Sequence, residues 1–170
     1  MKKVVLTFGF LSGALSSVMM LATVPFMDQI GFDHGAVVGY TAMVISFLFV
    51  FFGVRAYREQ SGPGPFTFGR GFGVGLLITL ISCVFYVATW EVIYFKLSPD
   101  FFEKYTAYAV ERVRASGGSQ QKIDETAKQM QTFKVMYDKP LINAALSFIE
   151  PLPVGLLVTL VSAGVLRRKG

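Results

Sequence analysis

Four long stretches with almost no charge restrict what this chain can fold into. Three of them carry no charged residue: 24 residues from 4 to 27, 19 from 36 to 54 and 20 from 71 to 90. The fourth, 26 residues from 141 to 166, is interrupted only by Glu150. Each is long enough to cross a hydrocarbon core of about 30 Å as a helix. The pattern predicts an all-α integral membrane protein, a bundle of four spanning helices.

The composition agrees with this prediction and argues against nucleic-acid binding. Only 16% of residues are charged, whereas a soluble domain has about 25%. The net charge of +5 comes from basic residues at the edges of the apolar stretches, where they act as topology signals. Lys2 and Lys3 before an apolar stretch also fit a signal peptide, but the stretch exceeds the usual length, and a retained helix is favoured.

The distribution of Lys and Arg predicts the orientation of the chain. The termini and the 55–70 loop carry eight basic residues and one acidic residue. Cytoplasmic segments are enriched in Lys and Arg, so both termini and this loop are expected in the cytoplasm of a bacterial inner membrane. The whole chain, 1–170, is then one membrane domain. Its expected spans are about 4–27, 36–54, 71–95 and 141–166, with an outer insert at 97–138.

The outer insert has the pattern of a helical hairpin between the third and fourth spans. Ser98 followed by Pro99 predicts the start of one helix, and Ser119 can cap a second. Apolar residues recur at helical spacing in both halves, with "SGG" between them. We expect the apolar faces to meet each other or the membrane surface.

Glu150 is the candidate for chemistry, because an ionisable residue inside an apolar span is a functional hypothesis by default. Pro151 and Pro153 remove two backbone donors, and a residue before proline is biased away from helical geometry, so a broken helix is expected. Tyr86 on the third span and Thr41 on the second lie at matching depth. These positions predict an intramembrane polar cluster of Glu150, Tyr86 and Thr41.

Three interpretations of Glu150 remain open from the sequence. The last membrane helix could begin at Pro151, with Glu150 at the interface beside a helix N-terminus. The carboxyl could instead be a buried structural link. It could also alternate between protonation states and couple a proton to transport.

Two further groups of residues stand out. Arg55, Arg58 and Arg70 lie beside the membrane and could contact anionic lipid or a partner, or serve only as topology determinants. Small residues four apart let helices approach closely in lipid. The glycines expected at such contacts are Gly9, Gly13, Gly35, Gly39, Gly71, Gly75 and Gly155.

Three segments, "FFGVRAYRE" (51–59), "FTFGRGFGVGLLITLISCVFYVATW" (66–90) and "FIEPLPVGLLVTLVSAGVLRRK" (148–169), carry a family resemblance. They resemble the bacterial membrane family catalogued as domain of unknown function 4199. The resemblance implies four spans and an extracytoplasmic helical insert, and it supplies no activity. The motif positions that it marks are Arg55, Tyr57, Arg58, Phe68, Gly69, Gly75, Glu150 and Gly155. Glu91 and the "GPGP" at 62–65 depart from the family pattern.

The residues therefore favour a structural or interaction component of the membrane. The alternative is a small proton-coupled or solute transporter that works as a homo-oligomer around Glu150. Expected partners are the lipid bilayer and either a second copy or another membrane protein, with no nucleic acid. No pattern of nucleophile, cofactor motif or metal ligands predicts an enzyme, a cofactor or a metal site.

Overall fold

The computed structural model describes residues 1–168, and within that range it has seven α-helices and no β-strand. The helices are α1 (Lys2–Thr23), α2 (Met27–Gln60), α3 (Phe68–Val92), α4 (Phe101–Ala115), α5 (Gln120–Tyr137), α6 (Pro140–Ile149) and α7 (Pro151–Leu166). Val24–Phe26 form a 3-10 turn, and Ile93–Leu97 form a π-helical turn after α3. The predicted all-α bundle is confirmed. Lys169, counted among the topology charges, lies outside the described residues.

Three continuous helical segments are long and apolar enough to cross a membrane: Lys2–Gln60, Phe68–Leu97 and Pro140–Leu166. The first has 59 residues and would be roughly 88 Å long if it were straight. It folds back instead, as a contact between its two halves shows: the Ser12 hydroxyl donates to the Ser46 carbonyl at 2.8 Å. The reversal occurs near Gly31, whose φ of 67° lies in the left-handed region that glycine adopts readily. The bundle therefore contains four apolar passes.

Helix α3 lies at the centre of the bundle and packs against α1, α2, α6 and α7. α1 runs parallel to α3, while α2 and α7 run antiparallel to it. Consequently Lys2, Arg58, Arg70 and Arg168 lie at one end, which we call the basic end. The α4–α5 hairpin lies at the opposite end, which we call the hairpin end.

Five of the seven predicted packing glycines lie at close helix contacts: Gly9, Gly13, Gly71, Gly75 and Gly155. A Cβ at Gly9 would lie 2.9 Å from Ile81, and a Cβ at Gly75 would lie 2.8 Å from Thr159. Both distances are too short for a larger residue without movement of the neighbour. These glycines therefore set how closely α1 and α7 approach α3.

The packing prediction is wrong for Gly35 and Gly39, since no atom beyond their own stretch of helix lies within 4 Å of the Cβ position of either residue. The reason is that both precede the part of α2 that enters the bundle, whose buried residues begin at Ala42. Sequence reasoning also missed Gly53, which contacts the side chain of Ile78. Large residues flank Gly53 at four-residue spacing, so the small-residue pattern could not reveal it.

The hairpin forms as the apolar stripes predict, with one shift at its start. The Phe102 and Phe133 rings meet across α4 and α5 with their centroids 5.8 Å apart. Ser119 caps α5 by accepting from the backbone N–H of Lys122 at 3.4 Å. α4 begins at Phe101 rather than at Pro99. The Ser98 N–H donates to the Ile93 carbonyl at 2.7 Å, so Ser98 ends the preceding π-helical turn instead of starting α4.

The loop before α3 is tied to the end of α7 at the basic end. Phe66 and Arg168 form an isolated β-bridge, with backbone N–H to carbonyl distances of 3.0 and 2.9 Å. The Arg168 side chain also donates to the Gly64 carbonyl, at 2.9 Å from Nε, and to the Gly62 carbonyl. Sequence reasoning treated Arg168 only as a topology charge. Its contacts hold the "GPGP" loop against the bundle.

Candidate functional site

Tyr86 and Glu150, two residues of the predicted polar cluster, are joined directly. The Tyr86 hydroxyl donates to Glu150 Oε2 at 2.8 Å. Tyr86 is only 8% exposed, whereas Glu150 lies on the surface of the bundle. A buried donor thus holds a carboxyl group at the face of the bundle, and the bond links α3 to the junction of α6 and α7.

The packing of α3 against α7 places this pair. Thr79 Oγ1 lies 3.0 Å from Thr159 Oγ1 and also donates to the Gly155 carbonyl at 3.3 Å. All three residues are buried. The two helices are antiparallel. About two turns after Thr79 on α3, and a similar distance before Gly155 on α7, Tyr86 therefore comes opposite Glu150. The contact of Thr79 with Gly155 and Thr159 therefore fixes the alignment of α3 and α7 that brings the pair together.

The helix is interrupted at Glu150, where α6 ends and α7 begins, but the backbone angles of Glu150 itself stay helical. Its φ of −64° and ψ of −55° are those of an α-helix, so α6 and α7 form one continuous segment, Pro140–Leu166. Pro151 and Pro153 lack a backbone N–H, which accounts for the interruption between α6 and α7. The bias of a pre-proline residue is a local preference. Packing on α3 and the bond from Tyr86 outweigh it here.

Glu150 lies well inside the apolar segment. It is ten residues from Pro140 and 16 from Leu166, which corresponds to roughly 15 and 24 Å along the axis. A hydrocarbon core of about 30 Å laid against either end of the segment leaves the carboxyl between roughly 6 and 15 Å inside its boundary. α7 does begin at Pro151, but α6 continues the same apolar path beyond it.

Thr41 does not join the pair, which corrects the third member of the predicted cluster. Its side chain is exposed on the outside of the bundle, and the residues of α2 that line the space beside Tyr86 are Met43, Ser46 and Phe47. Depth matching gives the distance along a helix but not the direction in which a side chain points. Thr41 falls outside the buried stripe that begins at Ala42.

A second polar network, absent from the sequence-based hypothesis, lies at the hairpin end. The Trp90 indole N–H donates to the Tyr137 hydroxyl at 2.9 Å. The amide of Asn143 donates to the Tyr137 carbonyl at 3.2 Å and accepts from the Ser147 hydroxyl at 3.1 Å. Asn143 is fully buried. An asparagine inside an apolar stretch was the available sequence signal, since buried amides require partners.

Asp138 anchors the end of α5 in the same region. The Tyr94 hydroxyl donates to its carboxylate at 2.6 Å, and Lys134 Nζ lies 2.9 Å from its second oxygen. These hydrogen bonds, that of Tyr94 first, lower the pKa of Asp138 below its ordinary value. A lowered pKa means that this contribution to stability is present near neutral pH. It is lost as the pH falls through the folded-state pKa.

The other half of the hairpin is fixed to the start of α2. Lys104 Nζ lies 2.9 Å from a carboxylate oxygen of Asp28, and the Tyr108 hydroxyl donates to Asp33. The Phe32 ring packs edge-on against Tyr105 at a centroid distance of 5.3 Å. The hairpin thus rests on two separate parts of the bundle, through α4 on one side and α5 on the other.

The structure does not bring Arg55, Arg58 and Arg70 together into one pocket. Arg55 pairs with Glu59 on its own helix at 2.9 Å. Arg70 is exposed in the first turn of α3, where its backbone N–H donates to Thr67 Oγ1 at 3.4 Å. Arg58 is half-buried near the end of α2. In residues 1–168, no group of three or more His, Cys, Asp or Glu residues could hold a metal ion.

These observations define a class: a helical membrane protein with four apolar passes and a helical hairpin docked on one end. The chain matches the family described as "Protein of unknown function (DUF4199)" over residues 7–168. It belongs to that family. Comparison with curated proteins and with solved structures finds no match.

The Tyr86–Glu150 bond should show measurable energetic coupling. Tyr86→Phe and Glu150→Leu each remove one partner, and the double variant should be less destabilised than the sum of the two. We expect a coupling energy of about 1 kcal/mol, as for hydrogen bonds between membrane helices. Unfolding of the purified protein in mixed micelles measures it.

A matched cycle provides the control for this coupling. Tyr86→Phe combined with Ser162→Ala should be additive, because Ser162 bonds the Val158 carbonyl within its own helix. If the Tyr86 and Glu150 variants are also additive, the bond contributes nothing to the folded state.

Proposed function

We propose that this protein is a structural or interaction component of the bacterial inner membrane, which holds the α4–α5 hairpin as a docking surface on the outer side. The observation that carries the proposal is the attachment of the hairpin at two places. α4 is joined to α2 through Lys104 and Asp28, and α5 to α3 through Trp90 and Tyr137. A simple connector between two spans would not need both attachments.

The surface that the hairpin presents is polar and charged. Its exposed residues include Glu111, Arg112 and Arg114 on α4, and Lys122 and Asp124 on α5. Charges of both signs give specificity and register to a protein contact. The proposed partner is accordingly another membrane protein or a second copy of this chain.

The proposed orientation has both termini in the cytoplasm. It is supported by the grouping of Lys2, Arg58, Arg70 and Arg168 at the basic end, since positive charge marks the cytoplasmic side. The hairpin end then faces outward. The lipid bilayer itself is the remaining partner, and neither nucleic acid nor catalysis enters the proposal.

One experiment tests orientation and interaction together. In a Cys83→Ala background, a single cysteine at exposed Gln129 should react in whole cells with a membrane-impermeant maleimide. A cysteine at Ser61, at the basic end, should react only after the cells are opened. A photoreactive residue at Gln129 should then form a discrete protein adduct, whereas one at lipid-facing Leu157 should not.

The outcomes separate the two parts of the proposal. Labelling at Ser61 and protection at Gln129 would reverse the orientation. If Gln129 reacts from outside but forms no discrete adduct, the docking function fails while the orientation stands. An adduct that disappears on reversing the charges of Lys122 and Lys128 would locate the contact on α5.

Transport by a homo-oligomer around Glu150 is the second candidate. It is favoured by one observation, the carboxyl exposed inside an apolar segment next to Tyr86, because such a position is costly unless it serves a function. Proton flux into vesicles containing the purified protein, and its loss in Glu150→Gln, would support this candidate over the docking function.

A further inference from the structure

A small cavity lies inside the bundle, beside Tyr86 and among buried residues. Five of the residues that line it carry a hydroxyl group: Ser12 and Ser16 of α1, Ser46 of α2, and Ser82 and Tyr86 of α3. The space open to the centre of a water molecule is about 10 Å³. A polar cavity needs room for one water and two to four hydrogen-bonding partners to be hydrated. This one has both.

Ser46 gives the cavity an unused hydrogen-bonding group. The residue is only 2% exposed, and its hydroxyl oxygen has no hydrogen-bond partner among residues 1–168. Buried hydroxyl groups nearly always have a partner, because leaving one unpaired forfeits its hydration without compensation. A molecule in the cavity would provide that partner.

The hydrogen bonds already made show what kind of molecule fits. Ser12 donates to the Ser46 carbonyl at 2.8 Å, and Ser82 donates to the Ile78 carbonyl at 2.9 Å. Tyr86 donates to Glu150 at 2.8 Å. Each hydroxyl has a single proton, so these three oxygens can only accept within the cavity. The ligand must therefore donate to them, while Ser46 can donate to the ligand.

A water molecule meets this requirement, and a metal cation does not. Water donates twice and accepts from Ser46. A cation would bring a full charge into the bundle against neutral oxygens only, since Glu150 does not line the cavity, and an unpaired buried charge is strongly unfavourable.

We propose that this cavity binds one water molecule, held by Ser46 and by at least two of the oxygens of Ser12, Ser82 and Tyr86. The water extends the Glu150–Tyr86 bond to helix α2. The link to α2 that depth matching assigned to Thr41 is thus made by Ser46. This site goes beyond the docking function and does not depend on it.

The sign of a stability change tests the proposal. In a dry cavity, Ser46→Ala would remove an unpaired hydroxyl and raise the midpoint of thermal unfolding. With water bound, the same change removes one of its partners and lowers the midpoint. We expect a lower midpoint. Ser162→Ala, a buried serine bonded within its own helix, gives the baseline for losing a serine hydroxyl. A midpoint for Ser46→Ala equal to or above that of the wild-type protein would overturn the proposal.

Hydroxyl-radical footprinting by X-ray radiolysis gives a second, independent readout. Radicals formed from a bound water oxidise the side chains beside it. Met43 lines the cavity although it is only 4% exposed, whereas Cys83 is fully buried and does not line it. We expect Met43 to be modified severalfold faster in the wild-type protein than in Ser46→Val, and the modification of Cys83 to be the same in both. Equal modification of Met43 in the wild-type protein and in Ser46→Val would show that the cavity is dry.

Discussion

Phe66→Ala is expected to lower the free energy of unfolding by about 3–5 kcal/mol, the usual cost of removing a buried phenylalanine. Its ring is fully buried at the basic end and belongs to the same core cluster as Val54, Val74 and Leu166. It also packs edge-on against Tyr57 at a centroid distance of 6.1 Å. The β-bridge to Arg168 fixes the backbone, so the surrounding side chains cannot easily close the space.

Phe68→Ala is the matched control for this prediction. Phe68 lies two residues further along and is 42% exposed, so its loss should cost well under half as much. Unfolding in mixed micelles measures both variants. Equal losses of unfolding free energy would mean that the burial of Phe66 in the loop before α3 does not stabilise the bundle.

The role of Phe66 shows where sequence reasoning reached its limit. A phenylalanine between "GPGP" and a span has no periodic pattern that predicts burial. It shares a core cluster with Leu166 and forms the bridge with Arg168, and both residues lie about one hundred positions further along the chain. Such contacts depend on which helices become neighbours, and hydropathy does not contain that information.

What the sequence did predict depended on strong local signals. Four stretches with almost no charge predicted the helical passes, and helical spacing with Ser119 predicted the hairpin. Tyr86 and Glu150 were correctly placed at the same depth, because residue counts along helices convert directly into distance. The prediction that Thr41 joins the cluster was wrong, because depth does not fix the angular position of a side chain around its helix. Asn143 was overlooked although its polarity in an apolar stretch was visible.

The same distinction applies to the glycines. Spacing alone placed Gly39 and Gly155 in the same group. Only the neighbours separate them, since Gly155 meets α3 and α2 whereas Gly39 meets open space. A substitution that adds volume should therefore act very differently at glycines that the sequence cannot tell apart.

Gly155→Leu should be among the most damaging single changes in the chain. A Cβ there would lie 3.0 Å from the Phe47 ring and would collide with the Thr79 side chain. It would also push away the carbonyl that accepts from Thr79. Overpacking of a tight contact costs about 3 kcal/mol at its upper end, and separation of α3 from α7 would add the loss of the Tyr86–Glu150 bond. We expect little folded protein to be recovered.

Gly164→Leu tests whether this effect comes from the contact rather than from leucine itself. Gly164 is on the same helix, and no atom beyond its own stretch of that helix lies within 4 Å of its Cβ position. The residue faces the lipid, where leucine is favoured, and the variant should fold as well as the wild-type protein. Recovery of folded protein after detergent extraction, followed by thermal unfolding, compares the two. The helix and the substituent are the same in both variants. A similar loss of folded protein in both would show that the damage does not come from the close α3–α7 contact. Full recovery of both would mean that α3 and α7 can separate without cost.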